Sequence, residues 1–246
     1  MHVRYSTLNE ENRPVTIEAN LEFEPQSDDT VWMLWAFVPL KNAEDFTGCG
    51  AAEWESLGAI KEALTARLEL RNGALYAGMR LQEGWAEIYY YAAWSKGAEQ
   101  QFRDVFKQHG YDRIEFGATR DTHQSFYRET LYPDAYELQQ ARSREIIAEL
   151  AEAGDDLGTE RAVEHYLFFQ TATAMQRAAV QLAQEGAVDV GVEGEGRYPH
   201  GLVLTLNHAC TEAELADVTA PLIALAEKEH GFYMGWSTTL AQESGV

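Results

Sequence analysis

The hydrophobic pattern β-α-β-β-α-β occurs twice along this chain, and no other feature constrains the fold as much. Each copy closes with a helix ending in His-Gly, followed by an aromatic strand: His109-Gly110-Tyr111 in the first and His230-Gly231-Phe232 in the second. A βαββαβ order builds a four-stranded antiparallel sheet with two helices on one face, the ferredoxin-like arrangement. At 246 residues the chain is long enough for two such domains, each burying its own core. The expected class is α+β: two tandem ferredoxin-like sandwiches joined by a helix, with domains at residues 1–132 and 133–246.

Periodicity supplies the elements. Val15 to Phe23 alternates apolar and polar residues, which marks a half-buried strand ahead of the first repeat. Pro25 to Asp29 reads as a turn. Val31 to Val38 is apolar on both faces and belongs in a sheet centre. Trp54, Leu57, Ile60, Leu64 and Leu68 return at helical spacing in a helix running from Gly50 to about Glu69. Two strands, Ala74 to Leu81 and Trp85 to Trp94, are joined by a tight turn at Glu83-Gly84. A helix over Ala98 to His109 and a strand over Ile114 to Ala118 complete the unit. Phe126 to Pro133 is a connector into a long helix, Ala135 to Ala153, ended by Gly154-Asp155-Asp156. The second unit has strands at Val163 to Phe169, Ala187 to Val192, Leu202 to Asn207 and Phe232 to Leu240. Thr171 or Thr173 caps its first helix, and Thr211 with Glu214 forms a capping box for its second, which Pro221 should bend.

Charge narrows the partners. Nineteen basic against forty acidic residues give a formal −21. The share up to Thr130 is −8 and the share from Leu131 onward is −13, so acidity concentrates in the second unit. Such a surface repels phosphate backbones and anionic membranes, and suits a basic protein partner. Met1 to Pro14 is polar and charged with no apolar signal core, and the longest apolar run, Val31 to Leu40, is half a membrane span. Cys49 and Cys210 fall in different domains and need not pair. A reducing cytoplasm is the expected compartment.

Two strands are more apolar than a one-sided sheet allows. Tyr89 and Tyr91 point one way while Ile88, Tyr90 and Trp94 point the other. Met33, Trp35 and Phe37 oppose Trp32, Leu34 and Val38. Both faces therefore need covering: the N-terminal strand region, the other domain's sheet, the connecting helix, local loops or a second subunit could do so, and interdomain or subunit packing is the favoured cover. Trp35, Tyr89, Tyr91 and Trp94 are the candidate interdomain face. In the second unit, Glu164, Tyr166 and Phe168 lie on one face of their strand, with His165, Leu167 and Phe169 on the other. Aromatic sheets that stack RNA carry Arg and Lys beside their rings; from Asp155 onward this chain has 4 basic and 14 acidic residues. Direct nucleic-acid binding is not expected.

Catalytic motifs are missing. There is no Gly-x-Ser-x-Gly elbow, phosphate loop or His-Glu-x-x-His helix. The run Gly191 to Gly196 leads into a strand and carries two glutamates, so it reads as a hairpin, not a nucleotide loop. His165 and His208 could approach if their strands pair, yet no cysteine pair or dense cluster makes a metal site, and His165 reads as a hydrogen-bonded core residue. Cys49 at a helix start reads as an ordinary small residue. No cofactor is expected.

The run Arg144-Glu145-Ile146-Ile147-Ala148-Glu149-Leu150, then Gly154-Asp155-Asp156, then Val163-Glu164-His165-Tyr166, resembles the RraB family, regulators that inhibit ribonuclease E. The ending Phe232-Tyr233-Met234-Gly235-Trp236 resembles that family's closing Tyr-Asp-Gly-Trp, with Met234 in place of the aspartate and without the family's acidic tail. The resemblance covers about Ala135 to Leu240 and implies a non-catalytic protein that works by binding a partner. The N-terminal half is similar to a bacterial family of unknown function, domain six hundred ninety-five, in its Val15 to Leu21 strand, Tyr89-Tyr90-Tyr91, His109-Gly110-Tyr111, Phe126-Tyr127-Arg128 and Leu131-Tyr132-Pro133.

Three functions follow as expectations. The first is a cytoplasmic regulator or adaptor binding a basic protein surface, with Tyr166, Phe168, Tyr233 and Trp236 as anchors and Glu164 as a flanking charge. The second is a small-molecule module or unrecognised enzyme with a site between the domains. The third is homo-oligomerisation through the doubly apolar sheet.

Overall fold

The computed structural model describes residues 1–24, 30–44 and 48–241, arranged as two compact units, Met1–Glu137 and Leu138–Val246. The turn expected over Pro25 to Asp29 lies outside the described residues. In the first unit the strands are β1 (His2–Leu8), β2 (Pro14–Asn20), β3 (Trp32–Pro39), a short pair β4 (Ala43–Glu44) and β5 (Gly48–Cys49), β6 (Leu75–Gln82), β7 (Trp85–Ala92) and β8 (Glu115–Arg120). The helices are α1 (Ala51–Asn72) and α2 (Ala98–Gln108). Six strands form one antiparallel sheet in the order β1-β2-β6-β7-β3-β8.

The helical stripe read from the sequence is the core. Leu57, Ile60, Leu64 and Leu68 of α1 and Phe102, Val105 and Phe106 of α2 are buried against Leu34, Ala36 and Val38 of β3 and Ile88 and Tyr90 of β7. Each such side chain contributes about 2 kcal/mol relative to exposure. Trp54 is only half-buried, under the guanidinium of Arg4 at 3.6 Å.

One strand was hidden in the sequence. The polar lead-in before Pro14 is β1, in which Val3 and Tyr5 turn inward and His2, Arg4 and Ser6 do not. Two inward apolar side chains per strand suffice at a sheet edge, and polar outward residues protect that edge from pairing. The signal is a period-2 alternation too short to stand out beside the neighbouring charges.

In the second unit, α3 (Ala135–Glu152) begins on a reciprocal capping box at Asp134 and Glu137. The Glu137 backbone N–H donates to Asp134 Oδ1 at 2.8 Å and the Asp134 N–H to Glu137 Oε2 at 2.9 Å. Then follow β9 (Arg161–Phe169), α4 (Ala172–Leu182), β10 (Ala187–Glu193), β11 (His200–His208), α5 (Glu212–Lys228) and β12 (Gly231–Thr238). The sheet is antiparallel, in the order β10-β11-β9-β12. Thr171 and Thr211 cap α4 and α5, accepting from the N–H groups of Ala174 and Glu214. Leu204 and Leu206 of β11 face a crevice between these two helices, which fixes the helix-covered face.

The turn Gly154-Asp155-Asp156 is a structural clasp. The buried Asp155 carboxylate accepts from Arg161 Nη2 at 2.8 Å and from the Ala241 N–H at 2.7 Å, tying the chain beyond β12 to the end of α3. Ile146, Ile147 and Leu150 of α3 pack on Val163, Cys210, Leu215 and Trp236. The long helix thus belongs to the second unit's core.

Candidate functional site

On β9, the side chains turned away from α4 and α5 are Glu164, Tyr166 and Phe168. The register sets their neighbours: Phe168 lies opposite Gly201 and Phe232, Tyr166 opposite Val203 and Gly235, and Glu164 opposite Thr205 and Ser237. A Cβ on Gly201 or Gly194 would fall 2.6 Å from the Phe168 ring, so the ring lies against both glycines. It stacks on Phe232 at 5.7 Å, and Tyr198 meets Phe232 edge-on at 4.8 Å. Phe168 is thereby 7% exposed and Phe232 38%. Phe232, which the sequence reading left out of the anchors, carries the accessible ring of this pair.

Tyr166 holds a carboxylate in place. Its hydroxyl donates to Glu164 Oε2 at 2.7 Å, and Ser237 Oγ sits 3.1 Å from that hydroxyl and 3.4 Å from the same carboxylate oxygen. Glu164 is exposed, so the network orients an acidic acceptor at the surface without burying it.

Tyr233 and Trp236 are not part of this face. Three positions apart in a regular strand, they would point to opposite sides. A bulge between Tyr233 and Gly235 inserts Met234 as an extra residue, and Gly235 takes φ +149°, a backbone conformation open to glycine. Tyr233 therefore pairs with Leu167 and Trp236 with His165, both on the helix-covered side and both buried. The Trp236 indole N–H donates to Ser143 Oγ of α3 at 2.9 Å. Both residues are corrected from surface anchors to core. Met234 is left 55% exposed at the bulge. Beside it runs a cleft of about 340 Å³ between the β12 edge and α3, lined by Met234, Ser237, Tyr166, Gln139, Arg142 and Ile146.

Behind this face, His165 and His208 do meet, as paired strands allowed. His165 Nε2 lies 3.0 Å from His208 Nε2, His165 Nδ1 lies 2.8 Å from the Tyr233 hydroxyl, and His208 Nδ1 lies 2.7 Å from the Ala209 carbonyl oxygen. The carbonyl only accepts, so His208 Nδ1 carries a proton. With His208 Nε2 as acceptor, His165 Nε2 donates to it and Tyr233 donates to His165 Nδ1, so every ring nitrogen and the Tyr233 hydroxyl has a partner. Burial, reinforced by His208, holds the His165 pKa down to about 3. Among the described residues no three His, Cys, Asp or Glu side chains converge as a metal site.

In the first unit, Trp35, Tyr89, Tyr91 and Trp94 do not share one face. Tyr89 packs on Phe126 at 4.5 Å, and Tyr91 packs on Phe23 while donating to Asp121 Oδ2 at 2.5 Å. Asp121 in turn accepts from the N–H groups of Ser125 and Phe126, and a π-turn over Tyr127–Leu131 follows. The connector itself therefore buries both tyrosines, where packing against another domain or subunit had been expected. Leu131, fully buried, sits 3.2 Å from where a Gly78 Cβ would lie. Trp35 is half-buried over Gly117, whereas Trp94, 53% exposed, donates its indole N–H to the Arg71 carbonyl at the end of α1.

Comparison with known proteins divides the chain at the same connector. Residues 3–132 match the model of a family of unknown function, DUF695, and residues 140–238 match the regulator of ribonuclease activity B family, RraB. A regulator of ribonuclease activity B from Proteus mirabilis (strain HI4320) is 34% identical over 112 residues, covering 43% of this chain and 78% of that protein. No helix among the described residues is long and apolar enough to cross a membrane. With the first family spanning more than half of the chain and the relative covered over most of its length, the chain belongs to the DUF695 family through its first unit and to the regulator of ribonuclease activity B family through its second.

Proposed function

We propose that this protein is a non-catalytic cytoplasmic regulator that binds a ribonuclease, of the ribonuclease E type, through the outward face and β12 edge of its second unit. The observation that carries this reading is the tethered Glu164 carboxylate on the same sheet face as the exposed Phe232, with exposed Met234 at the β12 bulge. An oriented acceptor flanked by accessible apolar side chains suits a basic segment whose aliphatic or aromatic residues pack beside its charge. Tyr166 and Phe168 act as the platform, and Tyr233 and Trp236 hold the platform from behind. The surplus of acidic residues over this half favours a basic partner and speeds encounter. We read both βαββαβ units as ferredoxin-like scaffolds for such contacts.

The test is titration of the purified ribonuclease into this protein by calorimetry at two salt concentrations. Glu164→Lys reverses the oriented charge at an exposed position, so binding should weaken by about tenfold or more while the melting temperature stays within about 2 °C. Glu227→Lys, on exposed α5, makes the same change of charge on the helix side and should weaken binding far less. Equal losses from both variants would reduce the contact to overall charge and remove the site. No binding by the unaltered protein would remove the function.

A further inference from the structure

The first unit contains a cleft that the regulator reading does not use. About 430 Å³ in volume, it lies along β1, β2 and β6 beside the connector, with Arg80 and Gln82 among its lining, Tyr5, Phe126 and Tyr132 as rings, and Glu10 and Glu129 as exposed carboxylates. Arg80 is largely buried. Its Nη2 donates to Gln82 Oε1 at 2.9 Å, its Nη1 stands 3.8 Å from Glu87 Oε2, and its guanidinium lies 5.9 Å from the Phe126 ring centre. The Nε of Arg80 is buried and has no acceptor among the described residues.

Nearby acceptors are already engaged. Gln82 Oε1 also takes a hydrogen bond from Asn9 Nδ2, while the two oxygens of Glu87 accept from Gln82 Nε2 at 2.7 Å and from the Tyr89 hydroxyl at 2.6 Å. A buried guanidinium N–H left unpaired is costly, and a carboxylate is its best-matched acceptor. A simple anion would nevertheless meet Glu10, Glu11 and Glu129 at the rim and the half-buried Glu137 beside them. Those carboxylates call for a cation, and the rings between the two kinds of charge call for an apolar body. One small ligand answers all three demands.

We propose that this cleft binds a free α-amino acid with an aromatic or large apolar side chain. Its carboxylate meets Arg80, its ammonium faces Glu10 and Glu129, and its side chain lies among Tyr5, Phe126 and Tyr132. Nothing in this assignment depends on the ribonuclease contact, which lies in the other unit.

Calorimetric titration of the full chain with phenylalanine, 3-phenylpropionate and phenethylamine separates the charges, since the second lacks the ammonium and the third lacks the carboxylate. Phenylalanine should bind saturably, with each analogue weaker by about tenfold or more, equivalent to one lost charge-assisted hydrogen bond. Glu129→Gln, at an exposed rim position, should weaken phenylalanine several-fold without changing the melting temperature. Arg80→Gln together with Glu87→Gln removes the interior pair as a unit and should abolish binding; if that variant does not fold, Glu129→Gln decides. Phenethylamine binding as tightly as phenylalanine would make this a cation site and overturn the proposal, as would 3-phenylpropionate binding as tightly. Silence with both phenylalanine and leucine, or undiminished binding in the rim variant, would overturn it as well.

Discussion

Both units contain a four-strand, two-helix run, β3, α1, β6, β7, α2 and β8 in the first and β9, α4, β10, β11, α5 and β12 in the second, and they finish the outer side of the sheet differently. The first covers Tyr89 and Tyr91 with its own connector, through Phe126, Tyr127 and Leu131. The second leaves Glu164, Tyr166 and Phe232 at the surface, and fits Phe168 against two glycines in place of a covering segment. A sheet with both faces apolar needs a second layer, while one with a charged, hydrogen-bonded outer row does not. That contrast is the reason the proposed partner contact is assigned to the second unit, whose outer sheet face has no covering segment.

The units differ inside as well, and the largest expected effect tests that. The first unit buries carboxylates such as Glu18, Glu53 and Glu87 at the margins of its apolar core, whereas the second holds the buried Tyr233–His165–His208 chain. With His165 held at about 3 when folded against 6.5 when unfolded, the unfolded state takes up its proton first as pH falls. Stability of the second unit is therefore full above pH 6.5, declines by at most about 1.4 kcal/mol per pH unit below it, and levels off near pH 3. The cumulative loss is on the order of 5 kcal/mol at most. Hydrogen exchange followed by mass spectrometry across this range should show β9 and β12 opening in acid before β6 and β7. Simultaneous opening of all four strands would erase the distinction.

Leu131→Ala probes the cover on the other side. Its side chain is fully buried over Gly78, so truncation should cost about 2–4 kcal/mol from the lost burial and the cavity left behind. Urea unfolding of the first unit is the measurement, and ribonuclease binding by the second should be unchanged. A cost below about 1 kcal/mol would mean that the connector merely rests on the sheet.

Legibility in the sequence followed how local each feature is. The stripes of α1 and α2, the caps at Thr171 and Thr211, and the approach of His165 to His208 rest on spacings of a few residues or on strand order, and all could be read. The destination of the Tyr89–Tyr91 face could not, because Phe126 and Leu131 reach it only through tertiary folding. Tyr233 and Trp236 were misplaced for a sharper reason: a bulge adds one residue, and one residue reverses the side to which every later side chain points. The signal was present in Gly235 after Met234, since an isolated glycine inside a strand pattern marks bulges. Phe232 was overlooked because its role as an exposed ring comes from its register opposite Phe168.

The smallest expected change in stability is also the most direct test of the open face. Met234→Asp installs an acidic residue where the Tyr-Asp-Gly-Trp motif that this stretch resembles has its aspartate. Position 234 is exposed at the bulge, so unfolding free energy should change by less than about 0.5 kcal/mol. The added charge stands beside Arg142 and Tyr166 around one cleft. If a basic segment docks along the β12 edge, affinity should rise a few-fold at low salt and the gain should fade as salt is raised, since an exposed charge acts mainly through screened attraction. Were the apolar Met234 side chain itself an anchor, the same substitution would weaken binding at every salt concentration. The salt dependence of this single variant therefore says whether the second unit holds its partner by charge or by burial.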